Sequence, residues 1–158
     1  MKIETTWILI GILACMMMVV VPFVYAVKKR WKTSKPLPID EMEGVEFEKF
    51  CAGLLEHKGF IDVNLTKASG DYGVDILAEK DGVTYAIQCK RYADPVGVKA
   101  IQEVYAGREY YDRMVGAVLT NQYFTAPAVE AAKKLKILLW DRGYLESMME
   151  EDEKWNQS

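Results

Sequence analysis

An aspartate at position 75, with a glutamine and a lysine at positions 88 and 90, are the residues of this chain best equipped for chemistry. A carboxylate can hold a cation, an ammonium can stabilise an anion or orient a water, and an amide offers both a donor and an acceptor. The same side chains could equally form a cross-strand ion pair on a solvated face, which stabilises little. Which of these holds depends on the elements that bring the three together.

Gly70 to Lys90 reads GDYGVDILAEKDGVTYAIQCK, two β-prone runs around Asp81-Gly82, a strong hairpin signal. With those two residues as the loop, Lys80 pairs with Val83. Ile76 then faces Ile87, Ala78 faces Tyr85, Val74 faces Cys89 and Asp75 faces Gln88. Alternation gives one apolar face and gathers Asp75, Gln88 and Lys90 on the other. Lys90 becomes the diagonal neighbour of Asp75, with backbones roughly 7–8 Å apart. Cys89 falls on the apolar face, as a packed thiol rather than a nucleophile.

The chain has 158 residues and a net charge of −3, room for one domain plus an appendage, and a balance that does not by itself mark a nucleic-acid binder. Three cysteines (Cys15, Cys51, Cys89) without ligand spacing argue against a disulfide framework or a zinc site. A single histidine, His57, excludes multi-histidine metal centres and suits a helix end.

The amino terminus has a different composition. After a short segment over residues 1–6, Trp7 to Val27 is an uncharged run of 21 residues. As a helix it extends roughly 31 Å, matching a hydrocarbon core of about 30 Å. Trp7, Tyr25 and Trp31 stand near its ends, and the basic KKRWKTSK follows it. A single transmembrane helix with the carboxy-terminal side in the cytoplasm is the expectation. The rival is a cleaved signal peptide, but the run is longer than a usual signal core and its basic cluster follows rather than precedes it. A basic, proline-containing linker spans 28–42, the soluble domain 43–149, and an acidic tail 150–158.

Within that domain, Gly44 to Lys58 has the stripe Phe47, Phe50, Cys51, Leu54 and Leu55 of an amphipathic helix stopped by Gly59. Phe60 to Thr66 alternates as a strand, and the hairpin follows. Val98 to Tyr111 is a helix with Val98, Ile101, Val104 and Tyr105 inward and Tyr105, Tyr110 and Tyr111 in the core and rim, and Met114 to Thr120 is an apolar central strand. Ala126 to Leu135 is a helix capped by Thr125, Ile137 to Trp140 a strand, and Gly143 to Met149 a closing helix. The fold class is α/β, a mixed central sheet with helices on both faces.

An acid on one hairpin strand followed by Q-x-K on the next resembles the Mrr-like type IV restriction endonucleases, a branch of the PD-(D/E)XK nuclease superfamily. Phe47-Glu48, Gly59-Phe60, Gly70-x-x-Gly73-Val74-Asp75, Gln88-Cys89-Lys90 and Thr120-Asn121-x-Tyr123-Phe124-Thr125 carry the resemblance, over about Glu43 to Met149. It implies a restriction-endonuclease-like fold and a metal-dependent DNA endonuclease that restricts foreign or modified DNA. Asp75 then binds a divalent metal, usually Mg²⁺, and Lys90 assists the attacking water. Glu48 would complete the metal shell, although the polar flank of an amphipathic helix explains a glutamate there equally well. Asp71 is a further ligand or a turn residue. Gln88 stands where the superfamily has an acid, so the site carries one negative charge fewer, as in the Mrr-like branch itself. Gln102 is either a neighbour of the site or an ordinary surface residue. Lys67, Arg91, Lys99 and Arg108 are candidates for DNA phosphate contact, with avidity from the membrane or a homo-oligomer. The alternative function is a catalytically silent nuclease-fold domain binding nucleic acid or a protein partner at the membrane.

Overall fold

A computed structural model describes residues 38–66, 70 and 72–156. The expected membrane helix, the segment before it, most of the linker, Lys67 and Asp71 lie outside the described residues. Among the described residues no helix is long and apolar enough to cross a membrane.

A 3-10 turn at Pro38–Asp40 leads into α1 (Gly44–His57), β1 (Ile61–Leu65), β2 (Ile76–Lys80) and β3 (Val83–Lys90). Then come α2 (Val98–Tyr110), β4 (Val115–Thr120), α3 (Ala126–Leu135), β5 (Ile137–Trp140) and α4 (Arg142–Asn156). The five strands lie in the order β1-β2-β3-β4-β5. The pairs β1–β2 and β2–β3 are antiparallel, whereas β3, β4 and β5 run parallel. The mixed α/β sheet and the element order match the sequence expectation.

Local chemistry explains the boundaries. Glu46 Oε2 accepts the Glu43 N–H at 2.9 Å at the start of α1, satisfying a donor the helix cannot. Thr125 Oγ1 accepts the Ala128 N–H at 3.3 Å, and Pro127 fits the first turn of α3. Asp81 and Gly82 have φ of 54° and 75°, the left-handed pair that a two-residue hairpin loop needs. Their turn sets the register Lys80–Val83, Ala78–Tyr85 and Ile76–Ile87.

Neighbouring residues of β3 reach opposite layers. Gln88 bonds Glu103 on α2, whereas the Cys89 thiol bonds Cys51 on α1. On the α2 side, Ala100, Ile101, Val104, Val118, Ala128 and Ala132 form one core. On the α1 side, Phe47, Cys51 and Leu55 are buried without exposure, and α1 also packs against α4. Strand β4 is buried on both faces, as expected of a covered central strand. Tyr105 was expected to face inward with Val104, but it stays 38% exposed and carries the Arg108 guanidinium over its ring at 4.9 Å. Tyr110, expected in the core or rim, is exposed and stacks on Tyr72.

Asp40 fastens the start of the domain to its end. Arg142 donates to both Asp40 carboxylate oxygens at 2.9 Å, to the Asn121 carbonyl at 3.0 Å and to Glu146 at 2.9 Å. The Asp40 contact outweighs the cost of burial and raises the affinity of Arg142 for its proton.

Candidate active site

The hairpin ladder stops one pair short of the expected site. In a continued ladder the Cys89 N–H would bond the Val74 carbonyl. Instead, Thr66 Oγ1 donates to that carbonyl at 2.6 Å, and the Asp75 carboxylate takes the Cys89 N–H at 2.6 Å. The Asp75 N–H bonds the Ile87 carbonyl at 2.9 Å, while its own carbonyl accepts from the Thr66 N–H at 3.0 Å. Asp75 therefore links β1 and β3 where β2 begins, and its side chain fills a gap in the main-chain pairing.

The expected pairing of Val74 with Cys89 is wrong for the same reason. Tyr72 and Gly73 have φ of 50° and 75°, which takes the chain out of strand geometry before Val74. Val74 is buried against α2, where a Cβ on Gly107 would collide with it. Cys89 faces α1 instead. Its thiol pKa is raised well above the ordinary value by the hydrogen bond with Cys51, by burial and by the nearby charges of Asp75 and Glu48. A protonated, packed thiol fits the expected structural role.

Gln88 and Lys90 meet on the α2 side, around a residue the sequence did not single out. Glu103 Oε2 accepts the Gln88 Nε2–H at 2.9 Å and lies 3.2 Å from Lys90 Nζ. Its Oε1 lies 3.6 Å from Lys99 Nζ. Burial raises the Glu103 carboxyl pKa, but the hydrogen bonds from Gln88 and Lys90 and the lysine charges outweigh it and hold the group below its ordinary value. Gln88 is 2% exposed, and its Oε1 is buried without a hydrogen-bond partner. Gly73 closes over the pair. A Cβ there would stand 2.7 Å from Glu103 Cβ and 3.2 Å from Gln88 Nε2.

The end of β4 and the segment after it hold the lysine strand in place. Thr120 Oγ1 donates to the Lys90 carbonyl at 2.6 Å. The Asn121 side chain accepts from the Tyr92 N–H at 2.9 Å and donates to the Tyr92 carbonyl at 3.0 Å. Val96 bridges to Phe124, and Thr125 caps α3. The later motif is thus structural, a frame for Lys90 to Tyr92.

A restriction endonuclease family profile, Mrr_cat, matches residues 39–149. The chain belongs to the Mrr_cat restriction endonuclease family. Among solved structures, it is similar to a protein of unknown function designated AF1548, at 26% identity and a TM-score of 0.57, over 66% of this chain and 64% of that one. It also shares the fold of the DNA modification-dependent restriction endonuclease AspBHI, at 17% identity and a TM-score of 0.51, over 73% of this chain and 36% of that one. The match thus spans about two thirds and one third of those two chains. No curated protein matches the chain.

The candidate donors of this Mrr_cat domain are of the chemical kind that would suit the hard, water-retaining cation that the resemblance implies. They are oxygens: the Asp75 carboxylate, the unpartnered Gln88 Oε1 and the Glu48 carboxylate. Oxygen donors suit Mg²⁺ better than zinc. Among the described residues no three His, Cys, Asp or Glu side chains are grouped to hold a metal, so an amide and waters would have to complete a shell.

Of the basic candidates, Lys99 is exposed at the rim and paired with Glu103, and Arg91 is half-buried. Arg108 is turned away from this cluster, with its guanidinium on Glu109 at 2.6 Å and over Tyr105. Gln102 is exposed; its neighbour Glu103 takes the place considered for it. Helical phase was the available signal. Buried Ala100 and Gly107 stand three and four residues either side of Glu103, whereas Gln102 is rotated about 100° away.

Proposed function

We propose that this Mrr_cat domain is a metal-dependent DNA endonuclease, tethered to a membrane through Trp7–Val27 with its catalytic domain in the cytoplasm, and that it restricts foreign or modified DNA. The observation that carries this is the seating of the Asp75 carboxylate on the Cys89 N–H, in the backbone between Gln88 and Lys90, in a chain of the restriction endonuclease family. The uncharged run and the basic residues behind it support the tether.

Asp75, Gln88 Oε1 and Glu48 would hold Mg²⁺. When bound, such an ion offsets charge on the scissile phosphate and lowers the pKa of a coordinated water. Lys90 orients the attacking water or neutralises a phosphate oxygen. With its ammonium 3.2 Å from the Glu103 carboxylate, we assign it the charge-stabilising role. To meet a phosphate, Lys90 exchanges its contact with Glu103 for one with the substrate.

Extraction of the full chain from a membrane fraction with detergent, followed by plasmid incubation, tests this. Nicking should require Mg²⁺ and be lost in Asp75→Ala and Lys90→Ala. Undiminished cleavage in both variants places the chemistry elsewhere, and recovery of the chain in the soluble fraction removes the tether. The second function, binding of nucleic acid or a partner without cutting, is favoured by charge. Pro36 to Leu145 holds 13 Lys and Arg against 17 Asp and Glu, and Lys90 already has a carboxylate beside it. Metal-independent binding with no turnover would establish it.

A further inference from the structure

We propose that Glu103 is a positioning residue for the nuclease site, which fixes the Gln88 side-chain amide so that its carbonyl oxygen faces the cation-binding side. This deepens the proposed function and rests on it for the role of that oxygen. An amide has two unlike ends, and whichever end a neighbour demands fixes the direction of the other. A carboxylate only accepts, so Gln88 must present Nε2 to Glu103, as it does at 2.9 Å. Oε1 is then left buried and without a donor. A buried carbonyl oxygen left bare in this way is poised for a cation or a water.

Three features restrict the amide to this arrangement. Gln88 is 2% exposed, so bulk water does not compete for it. Gly73 passes so close that any larger residue would press on Nε2. Lys90 Nζ lies on the same Glu103 oxygen, at 3.2 Å, so one carboxylate orients both the amide and the ammonium of Q-x-K.

The test compares Glu103→Gln, Gln88→Glu and the exchanged double variant Gln88→Glu/Glu103→Gln in the full chain. Glutamine at 103 can accept or donate, so it no longer dictates which end of Gln88 faces it. In DNA-free protein without metal, the Gln88 side-chain NH₂ pair should give a resolved, exchange-protected ¹H–¹⁵N signal that shifts or broadens in Glu103→Gln. Mn²⁺ affinity, measured by calorimetry, should fall at least threefold in that variant and return in the double variant, which restores a carboxylate–amide pair with the charge at position 88. Plasmid cleavage should lose tenfold or more in kcat with KM little changed, and recover within threefold in the double variant. Gln88→Glu alone, with two carboxylates face to face, should not recover it. An unchanged Gln88 signal together with wild-type Mn²⁺ affinity in Glu103→Gln overturns the proposal. If the wild-type protein cuts no DNA, the proposed function fails, while the amide signal and the Mn²⁺ titration still decide the role of Glu103.

Discussion

Asp75 has two duties that separate variants can pull apart. Its carboxylate would help hold a cation, and it also satisfies the Cys89 N–H at 2.6 Å. Asp75→Ala strips that donor of its acceptor, at a cost of about 1–3 kcal/mol. Asp75→Asn keeps an acceptor oxygen but loses the charge. Chemical denaturation should show Asp75→Asn as the more stable of the two, with both inactive on plasmid DNA. An Asn variant that cuts at the wild-type rate would deny the carboxylate its role. Glu103 makes a pH-dependent contribution. Its folded pKa lies below the ordinary value of 4.5, so its stabilisation is fully present above that value and fades as pH falls through the lower folded one. The stability difference between wild type and Glu103→Gln, followed by denaturant midpoints, should be constant near neutrality and shrink only in acid. Glu103 was hard to find in the sequence because a charged residue on an amphipathic helix is unremarkable until the helix's rotation against its neighbour is known. Ala100, Ile101 and Val104 contain that rotation, but Tyr105, read as inward, blurred it.

Among the elements, the hairpin was the most legible. Asp81-Gly82 determines which residues pair, and the pairs from Lys80–Val83 to Ile76–Ile87 follow by counting. Counting failed beyond Ile76, because positive φ at Tyr72 and Gly73 ends the strand geometry that it assumes. Two glycines with the same φ of 75° therefore differ in what they protect. An alanine Cβ at Gly82 meets nothing within 4 Å, whereas at Gly73 it meets Glu103 and Gln88. Gly82→Ala should cost only the left-handed strain, about 1–2 kcal/mol, with cleavage intact. Gly73→Ala adds overpacking of about 1–3 kcal/mol and should lower cleavage more than its stability loss explains. Urea midpoints beside nicking rates decide this; equal effects at both glycines would contradict the packing account. The Thr120-Asn121 motif was visible as a pattern, but its work on the Lys90 and Tyr92 backbone was not, because hydrogen bonds between distant segments leave no local trace in sequence.

For the molecule as a whole, charge is the difficulty a DNA-cutting function must meet. An acidic domain gains little from general attraction, so binding has to come from a few placed cations. With Lys67, Arg91 and Lys99 as the phosphate contacts, the slope of log affinity against log salt for duplex DNA should be only about −3. Lys99→Ala should reduce it by about one. A fluorescence-anisotropy series across salt measures this, and a much steeper slope would point to basic residues elsewhere or to an assembly of several chains. Parallel β3, β4 and β5 bring Lys90 and Thr120 to one end of the sheet, and the clamp of Asp40, Asn121 and Arg142 lies immediately beyond. Segments distant in the chain are thereby held together at the end that carries the candidate site.

The gap in the ladder also gives the protein a built-in gauge. The Cys89 amide proton leans on a single carboxylate oxygen, so its resonance and its exchange with solvent register whatever draws electron density from Asp75. Adding Mg²⁺ in the absence of DNA should move that one backbone signal before any strand is broken.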